Sequence, residues 1–463
     1  RMNAPPTRLT LEGWDRRYAE LRRAGALDPA CGGPLRRHVA DGDRRLLRLQ
    51  FDNSPAALRL WNFLLSEEDR LHAVRAAGGR IVGAMKDLGT VPVMAYSLPG
   101  LTAFYPDGAW WTPCVMEMSD ELLREADRLG IDETFCPVRA MLGAFTTRRH
   151  FPIPDLLVCS VGATCDDFSA IAQRLNGLGH PILWWEIPHR RAPEPGEPAV
   201  PLPGGGAAPR AQAEFVEGEL RRVGEALARL AGTALDEARL AAGIRRANGI
   251  RRRLRALRER TFTAPVAPLP ALELLIAEML AIHYCSDPAE TEQVLDALLA
   301  ETGRRVAGGV GVSPADAVRV FWVNPVADLR MMNRLENTGG RLGGTDFMFS
   351  HALDELPEGI GPFAALARAA LADPMAGSAA DRAARIAQDA LRFGAEAVVF
   401  SRIPGASHCA TEGRAIADEV RRRAGLPVAE LEVPPLGDAT APAAETRLSA
   451  LMEAARARRK EER

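Results

Sequence analysis

Three cysteines of this chain stand where the residue pattern predicts the start of a helix. Cys165 and Cys409 each follow a short apolar segment typical of a β-strand, and Cys136 directly precedes Pro137, a residue favoured at the first position of a helix. The unpaired amides and the dipole of a helix N-terminus are expected to lower the pKa of a thiol and to favour the thiolate, which binds metals. The three cysteines are therefore candidate ligands of one metal centre, although any one of them could be only a small buried side chain.

The elements that would position these thiols form two α/β halves around a helical middle. Short apolar segments alternate with amphipathic helical patterns at 78–190 and again at 306–463, the order that predicts parallel sheets covered by helices. Between them lie a Pro- and Gly-rich loop at 191–210 and a helical region at 211–305, and residues 1–77 read as an N-terminal helical segment. The predicted fold class is therefore α/β, with two doubly wound parallel-sheet domains flanking a helical region. All three thiols are predicted at the carboxyl ends of strands, where ligands of open α/β sheets gather.

Several individual elements are predicted from local patterns. The apolar segments Arg80–Met85, Val91–Tyr96 and Val318–Val323 are predicted strands. Thr233-Ala-Leu-Asp236 has the pattern of a capping box, which predicts that a helix begins there. Gly340–Asp346 is predicted to be a turn followed by a short strand.

Composition excludes some classes of function. The 58 Lys and Arg residues nearly balance the 60 Asp and Glu residues, so neither nucleic acid nor an anionic membrane is an expected partner. The longest apolar runs are too short to span a bilayer, and the first residues lack the apolar core of a secretory signal, so the expected location is the cytoplasm. In a reducing compartment the seven cysteines are expected to be metal ligands, catalytic thiols or buried side chains rather than disulfides.

The chain resembles the family of 2-hydroxyacyl-CoA dehydratases and benzoyl-CoA reductases over roughly residues 78–455. The matching stretches are individually short, but they occur in the same order as in the family. They include Cys136-Pro137, Pro154-Asp-Leu-Leu-Val158, Ala163-Thr-Cys-Asp166, the loop that carries Cys409, Pro181–Pro188, Leu240–Asn248 and Glu336–Arg341.

The resemblance implies a cofactor, a reaction class and partners. Cys136, Cys165 and Cys409 would hold a [4Fe–4S] cluster in one subunit of a lyase or oxidoreductase that transfers low-potential electrons to an acyl-CoA thioester under anaerobic conditions. A homologous second subunit, in a homodimer or heterodimer, and a separate ATP-dependent iron–sulfur activator are implied as partners. The sequence contains no G-x-x-x-x-G-K-[ST] phosphate loop, which fits an activator on another chain.

Other readings stay open. One branch of the family holds a double-cubane [8Fe–9S] cluster that reduces small molecules, and Cys114, Cys159 and Cys285 could supply its further thiolates. The chain could also be a non-catalytic partner or electron-relay subunit. His408, beside Cys409, is a candidate for proton transfer. The run Arg251-Arg-Arg253 is predicted to be a solvated helix face, with contact to a CoA phosphate as the alternative.

Overall fold

The computed structural model describes residues 5–40, 44–107, 119–406, 411–435 and 438–461. Within these ranges no helix is both long enough and apolar enough to cross a membrane. Three residues named above as site candidates lie outside the described residues, namely Cys114, His408 and Cys409.

The segment before the first parallel sheet is fixed to the rest of the chain by a buried ion pair. Strand β1 (Arg8–Leu9) pairs antiparallel with β2 (Phe51–Asp52). The carboxylate of Asp52 accepts hydrogen bonds from the buried guanidinium of Arg305 at 2.7 and 3.0 Å, and its backbone carbonyl accepts one from Nε1 of Trp14. The helices of this segment are α1 (Leu11–Arg23), α2 (Arg37–Ala40), α3 (Pro55–Leu65) and α4 (Glu67–Ala76).

The first sheet has four parallel strands in the spatial order β4-β3-β5-β6. Its central strands are apolar along almost their whole length, as expected for a sheet covered on both faces. The strands are β3 (Arg80–Met85), β4 (Leu101–Phe104), β5 (Leu156–Gly162) and β6 (Ile182–Ile187), and the helices are α5 (Thr90–Ala95), α6 (Ser119–Arg128), α7 (Ala140–Thr147) and α8 (Asp166–Gly177).

The predicted strand at Val91–Tyr96 is wrong, because this segment is helix α5. The carboxylate of Asp87 accepts hydrogen bonds from the backbone amides of Thr90 and Val91 at 2.8 and 2.7 Å, which caps the helix at its first turn. The strand that pairs with β3 comes later in the chain, at Leu101–Phe104. A capping carboxylate thus overrides the strand preference of a short β-branched run.

Helices dominate the middle of the chain. The predicted loop contains a small antiparallel hairpin, β7 (Ala199–Pro201) and β8 (Ala207–Pro209). The helix predicted from Thr233 instead begins at Glu237, because the side chain of Asp236 accepts the amide of Arg239 at 2.8 Å and serves as the N-cap. The helices are α9 (Arg210–Ala231), α10 (Glu237–Thr263), α11 (Ala271–Met279) and α12 (Pro288–Ala307).

The second sheet repeats the strand order of the first, as β10-β9-β11-β12, again with all strands parallel. The segment Gly340–Asp346 is a strand along its whole length, so the predicted turn is wrong, although the pairing register with β9 shifts between Leu342 and Gly344. Glycine is required at 343 and 344 because a side chain there would collide with β9. Two α/β units of parallel strands and helices therefore confirm the predicted fold class. The elements are β9 (Val318–Val323), β10 (Gly340–Asp346), β11 (Ala397–Arg402), β12 (Val428–Glu432), α13 (Arg330–Asn337), α14 (Pro362–Ala372), α15 (Ala379–Arg392), α16 (Gly413–Ala424) and α17 (Ala441–Glu461).

Candidate cysteine site between the two sheets

The carboxyl ends of both sheets face one cavity of about 200 Å³. Its wall includes Cys136 and Cys165 from the first α/β unit and Ile403 and Ala406 from the loop that follows β11 in the second. In parallel α/β folds this is the end of the sheet where ligands bind. The cavity is therefore the candidate functional site.

Cys165 occupies the position predicted for it, directly before helix α8. It is the N-cap residue, with extended backbone angles (φ −155°, ψ 121°), and the backbone amides of Phe168 and Asp167 favour its thiolate without capping it in a regular N-cap hydrogen bond. The expectation of a lowered pKa is wrong for the chain without a bound cation. Burial raises the pKa of the Cys165 thiol to about 11, outweighing the helix amides and the positive charge of Lys86.

Cys136 also lies at the start of a helical turn. It precedes a 3₁₀ helix, Pro137–Arg139, which leads directly into α7. Pro137 stands at the first helical position, as predicted, where its missing amide hydrogen costs nothing. The Cys136 side chain is half-buried and lines the same cavity as Cys165.

The loop that leads to Cys409 packs against the segment that carries Cys136. Gly405 has a left-handed backbone (φ +81°), and a side chain there would collide with the carbonyl oxygen of Phe135. The next residue, Ala406, lines the cavity. The described part of this loop therefore approaches the cavity from the second sheet, although Cys409 itself lies outside the described residues.

The two cavity-facing sheet ends are built alike. In both units the residue directly after the first strand of the sheet has a left-handed backbone. This residue is Lys86 (φ +57°) after β3 and Asn324 (φ +68°) after β9. The neighbouring strands, β5 and β11, each carry a serine at their fifth position, and its hydroxyl donates to a backbone carbonyl in the turn after β3 or β9. Ser160 donates to the carbonyl of Lys86, and Ser401 donates to the carbonyl of Pro325. The loops of Cys165 and Cys409 follow these two equivalent strands.

The remaining described cysteines do not line the cavity. Cys159 is completely buried in β5, where burial raises the pKa of its thiol to about 12, and it interacts electrostatically with Cys165 and Lys86. Cys285 is buried in a 3₁₀ helix, and burial raises the pKa of its thiol well above the ordinary value. Cys31 is buried in the N-terminal segment. Among the described residues, no group of three or more histidine, cysteine, aspartate or glutamate side chains is arranged to hold a metal ion.

Buried polar groups on the cavity wall were missed in the sequence. Arg251, predicted to be a solvated residue, is buried and donates to the carbonyl of Asp354 at 2.6 Å, whereas the neighbouring Arg252 pairs with Glu355 in solvent. Burial raises the pKa of Asp107 to about 7 and lowers that of His283 to about 4. Oδ1 of Asp107 has no hydrogen-bond partner among the described residues. Such groups could be found only from the fold, because their burial depends on contacts distant in sequence.

A buried charge network supports the second sheet end. His351 lies between two carboxylates, with Nε2 at 2.8 Å from Asp346 and Nδ1 at 3.1 Å from Asp373. Burial lowers the pKa of His351, but the two carboxylates outweigh burial and raise it above its ordinary value, which favours the imidazolium form in which both ring nitrogens can donate. The buried guanidinium of Arg382 donates to Asp346 at 2.8 Å, to Glu412 at 2.8 Å and to Asn324 at 2.7 Å.

The family model described as 2-hydroxyglutaryl-CoA dehydratase, D-component, matches residues 76–454. The chain belongs to this family. The match spans both sheets, the helical middle and all three predicted cysteine ligands, and it confirms the family expected from the sequence. No curated protein matches the chain.

Membership in the 2-hydroxyglutaryl-CoA dehydratase D-component family makes the chain a 2-hydroxyacyl-CoA dehydratase component, and hence a component of a lyase. The designation as a D-component implies a partner subunit in the complex. The family is known for iron–sulfur clusters, and the donor chemistry here fits such a group. The soft thiols of Cys136 and Cys165, from separate loops, line a cavity whose wall is largely apolar, with Val138, Phe168, Ile187, Phe349 and Ile403 among its residues.

Proposed function

We propose that this chain is the cluster-bearing subunit of a 2-hydroxyacyl-CoA dehydratase, with Cys136, Cys165 and Cys409 as ligands of a [4Fe–4S] cluster. The observation that carries the proposal is the shared cavity. Cys136 and Cys165 line it from the first α/β unit, and the loop that leads to Cys409 reaches it from the equivalent end of the second. A homologous subunit, which completes the acyl-CoA site, and a separate ATP-dependent iron–sulfur activator are proposed as partners.

The raised thiol pKa of Cys165 supports the need for a cationic group at this position. A buried thiolate is costly without a compensating positive charge, and the irons of a cluster supply that charge. The backbone amides of Phe168 and Asp167, which lower the pKa of this thiol, would then help to stabilise a ligating thiolate. We therefore expect the thiolate of Cys165 to be stable only when it is bound to a metal.

The cluster, when bound, supplies a low-potential electron and an iron that can polarise the thioester carbonyl. The apolar wall, including Phe168 and Phe349, excludes water from the acyl group. Oδ1 of Asp107 can take up a proton near neutral pH, because burial holds the pKa of this carboxyl at about 7. We propose Asp107 as the group that accepts the substrate proton in the dehydration. His283, with a pKa of about 4, is a neutral imidazole on the same wall.

We also propose that the chain divides functionally as its sequence pattern indicates. Residues 1–77 and 211–305 would support the two α/β domains, 78–190 and 306–463, and the hairpin within 191–210 would border the cavity through Pro203.

Single cysteine substitutions in the full chain test the ligand assignment. Cys136→Ser, Cys165→Ser and Cys409→Ser are each reconstituted anaerobically with iron and sulfide beside Cys31→Ser, which removes a buried thiol far from the cavity. We expect the first three variants to lose most of their iron and visible absorption, and Cys31→Ser to retain both. Full iron content in the three ligand variants would overturn the proposal.

The same assay separates a four-iron from an eight-iron centre. We expect Cys159→Ser and Cys285→Ser to keep the wild-type iron content, because neither side chain lines the cavity. Loss of about half the iron in either variant would instead support a larger cluster that recruits these thiols.

A further inference from the structure

We infer that Lys86 sets the reduction potential of the proposed cluster by holding a positive charge beside Cys165 and Cys159, an inference that rests on the proposed function. Lys86 is the first residue after β3 and lines the cavity. It does not ligate the cluster in this proposal. Its role is to place a positive charge beside the cysteines.

Lysine is a rare residue in this chain. The chain has 58 Lys and Arg residues, and only Lys86 and Lys460 are lysines. Lys460 is exposed near the end of helix α17, whereas Lys86 is only 8% exposed. Arginine is the cation used almost everywhere else, but its planar guanidinium is larger than the compact ammonium of lysine. Lys86 therefore places a compact charge on the cavity wall.

The backbone at position 86 does not favour lysine. Lys86 adopts a left-handed conformation (φ +57°), which is unfavourable for most side chains and is best tolerated by glycine and asparagine. The equivalent position in the second sheet carries Asn324, with nearly the same φ of +68°. The backbone alone would therefore favour asparagine at position 86 as well. The presence of lysine at position 86 is therefore explained by its charged side chain and not by the backbone.

The side chain of Lys86 is held in place by a hydrogen bond. The ammonium of Lys86 donates to Oγ of Ser169 at 3.1 Å, one turn into the helix that Cys165 begins. The backbone carbonyl of Lys86 accepts a hydrogen bond from Oγ of Ser160. The two serines therefore hold Lys86 at its ammonium and at its backbone.

The electrostatic partners of Lys86 are the cysteines. Burial lowers the pKa of Lys86, and the charge interactions that oppose burial and favour the ammonium are with Cys165, then Cys159 and then Asp166. In a buried site such an interaction is far less screened than in water. A fixed cation stabilises the reduced, more negative state of a nearby cluster over the oxidised state, and so it raises the reduction potential.

Lysine variants of the full chain, reconstituted anaerobically, test this inference. Lys86→Met keeps the length of the side chain and removes its charge, Lys86→Arg restores a charge, and Lys460→Met removes the other lysine as a matched control. Iron and sulfide are measured first, and the midpoint potential is then measured by a redox titration followed by electron paramagnetic resonance. Thermal unfolding reports whether each variant folds.

We expect Lys86→Met to retain its iron and to shift the ratio of oxidised to reduced cluster about tenfold at a fixed potential, a decrease of about 59 mV for one electron. Lys86→Arg should recover part of this shift, and Lys460→Met should leave the potential at the wild-type value. An unchanged potential in iron-loaded Lys86→Met would overturn the inference and leave the proposed function intact.

Ser169→Ala gives a second test in case Lys86→Met does not hold iron. This variant keeps the ammonium but removes its anchor, so we expect full iron content and a smaller decrease in potential. A wild-type potential in Ser169→Ala, together with loss of iron in Lys86→Met, would show that Lys86 only supports the fold. A wild-type chain that binds no iron would contradict the proposed function itself.

Discussion

Removal of the buried guanidinium of Arg382 should destabilise the chain strongly. Arg382 is completely buried and holds the carboxylates of Asp346 and Glu412, each at 2.8 Å. Burial alone would raise the pKa of Asp346, but Arg382 and His351 hold it well below its ordinary value. In Arg382→Met these carboxylates lose their main counter-charge. Breaking a buried ion pair from one side costs about 3–5 kcal/mol, and since His351 still pairs with Asp346 we expect about 3 kcal/mol.

The assay is urea unfolding at neutral pH, followed by tryptophan fluorescence, with Arg421→Met as the matched control. Arg421 is paired with Asp418 at 3.5 Å on the solvent side of α16, and both side chains are more than half exposed. Its loss should cost less than about 1 kcal/mol. Equal free energies of unfolding for the two variants would refute the argument, since they would mean that burial does not amplify the Arg382 contacts.

Three further results are expected. Gly405→Ala should lower the free energy of unfolding by about 1–3 kcal/mol, because the added methyl group would collide with the Phe135 carbonyl. The control Gly218→Ala, at an exposed position within a helix, should raise the free energy of unfolding by about 0.5–1 kcal/mol. If Gly405→Ala did not destabilise the chain, the packing described for the Cys409 loop would be contradicted. Burial, reinforced by Asp52, raises the pKa of Glu273 from 4.5 to about 8, so wild-type stability should fall as the pH rises through this interval. Glu273→Gln should reduce that fall in the melting temperature but not abolish it, because burial also raises the pKa of Asp107 and of Glu336 to about 7; an unchanged slope would mean that Glu273 is not protonated in the fold. Asp107→Asn should keep its iron, slow dehydration by about 100-fold or more and remove an inflection of the rate near pH 7; wild-type turnover would exclude Asp107 as the proton acceptor.

Local patterns in the sequence were sufficient where an element is determined by its own residues. The strands Arg80–Met85 and Val318–Val323 have the bounds expected from their apolar runs. The segment Val91–Tyr96 was assigned to the wrong class because Asp87, outside it, caps a helix there. The helix start predicted from Thr233 is misplaced for a similar reason, because the side chain that caps the helix is that of Asp236.

The candidate site was predictable in part. The positions of Cys136 and Cys165 before helical turns follow from Pro137 and from the strand-to-helix pattern. The thiol pKa could not be predicted in the same way, because burial by distant residues outweighs the local helix amides at Cys165. Burial of Lys86 and Arg251 likewise depends on contacts between elements far apart in the sequence.

The most direct test of the account is to locate the iron. A crystal of the anaerobically reconstituted chain, measured at the iron absorption edge, should show one compact anomalous peak in the cavity, bonded to the sulfur atoms of Cys136, Cys165 and Cys409. Iron bound elsewhere, or iron in the cavity that none of these three sulfurs contacts, would contradict it.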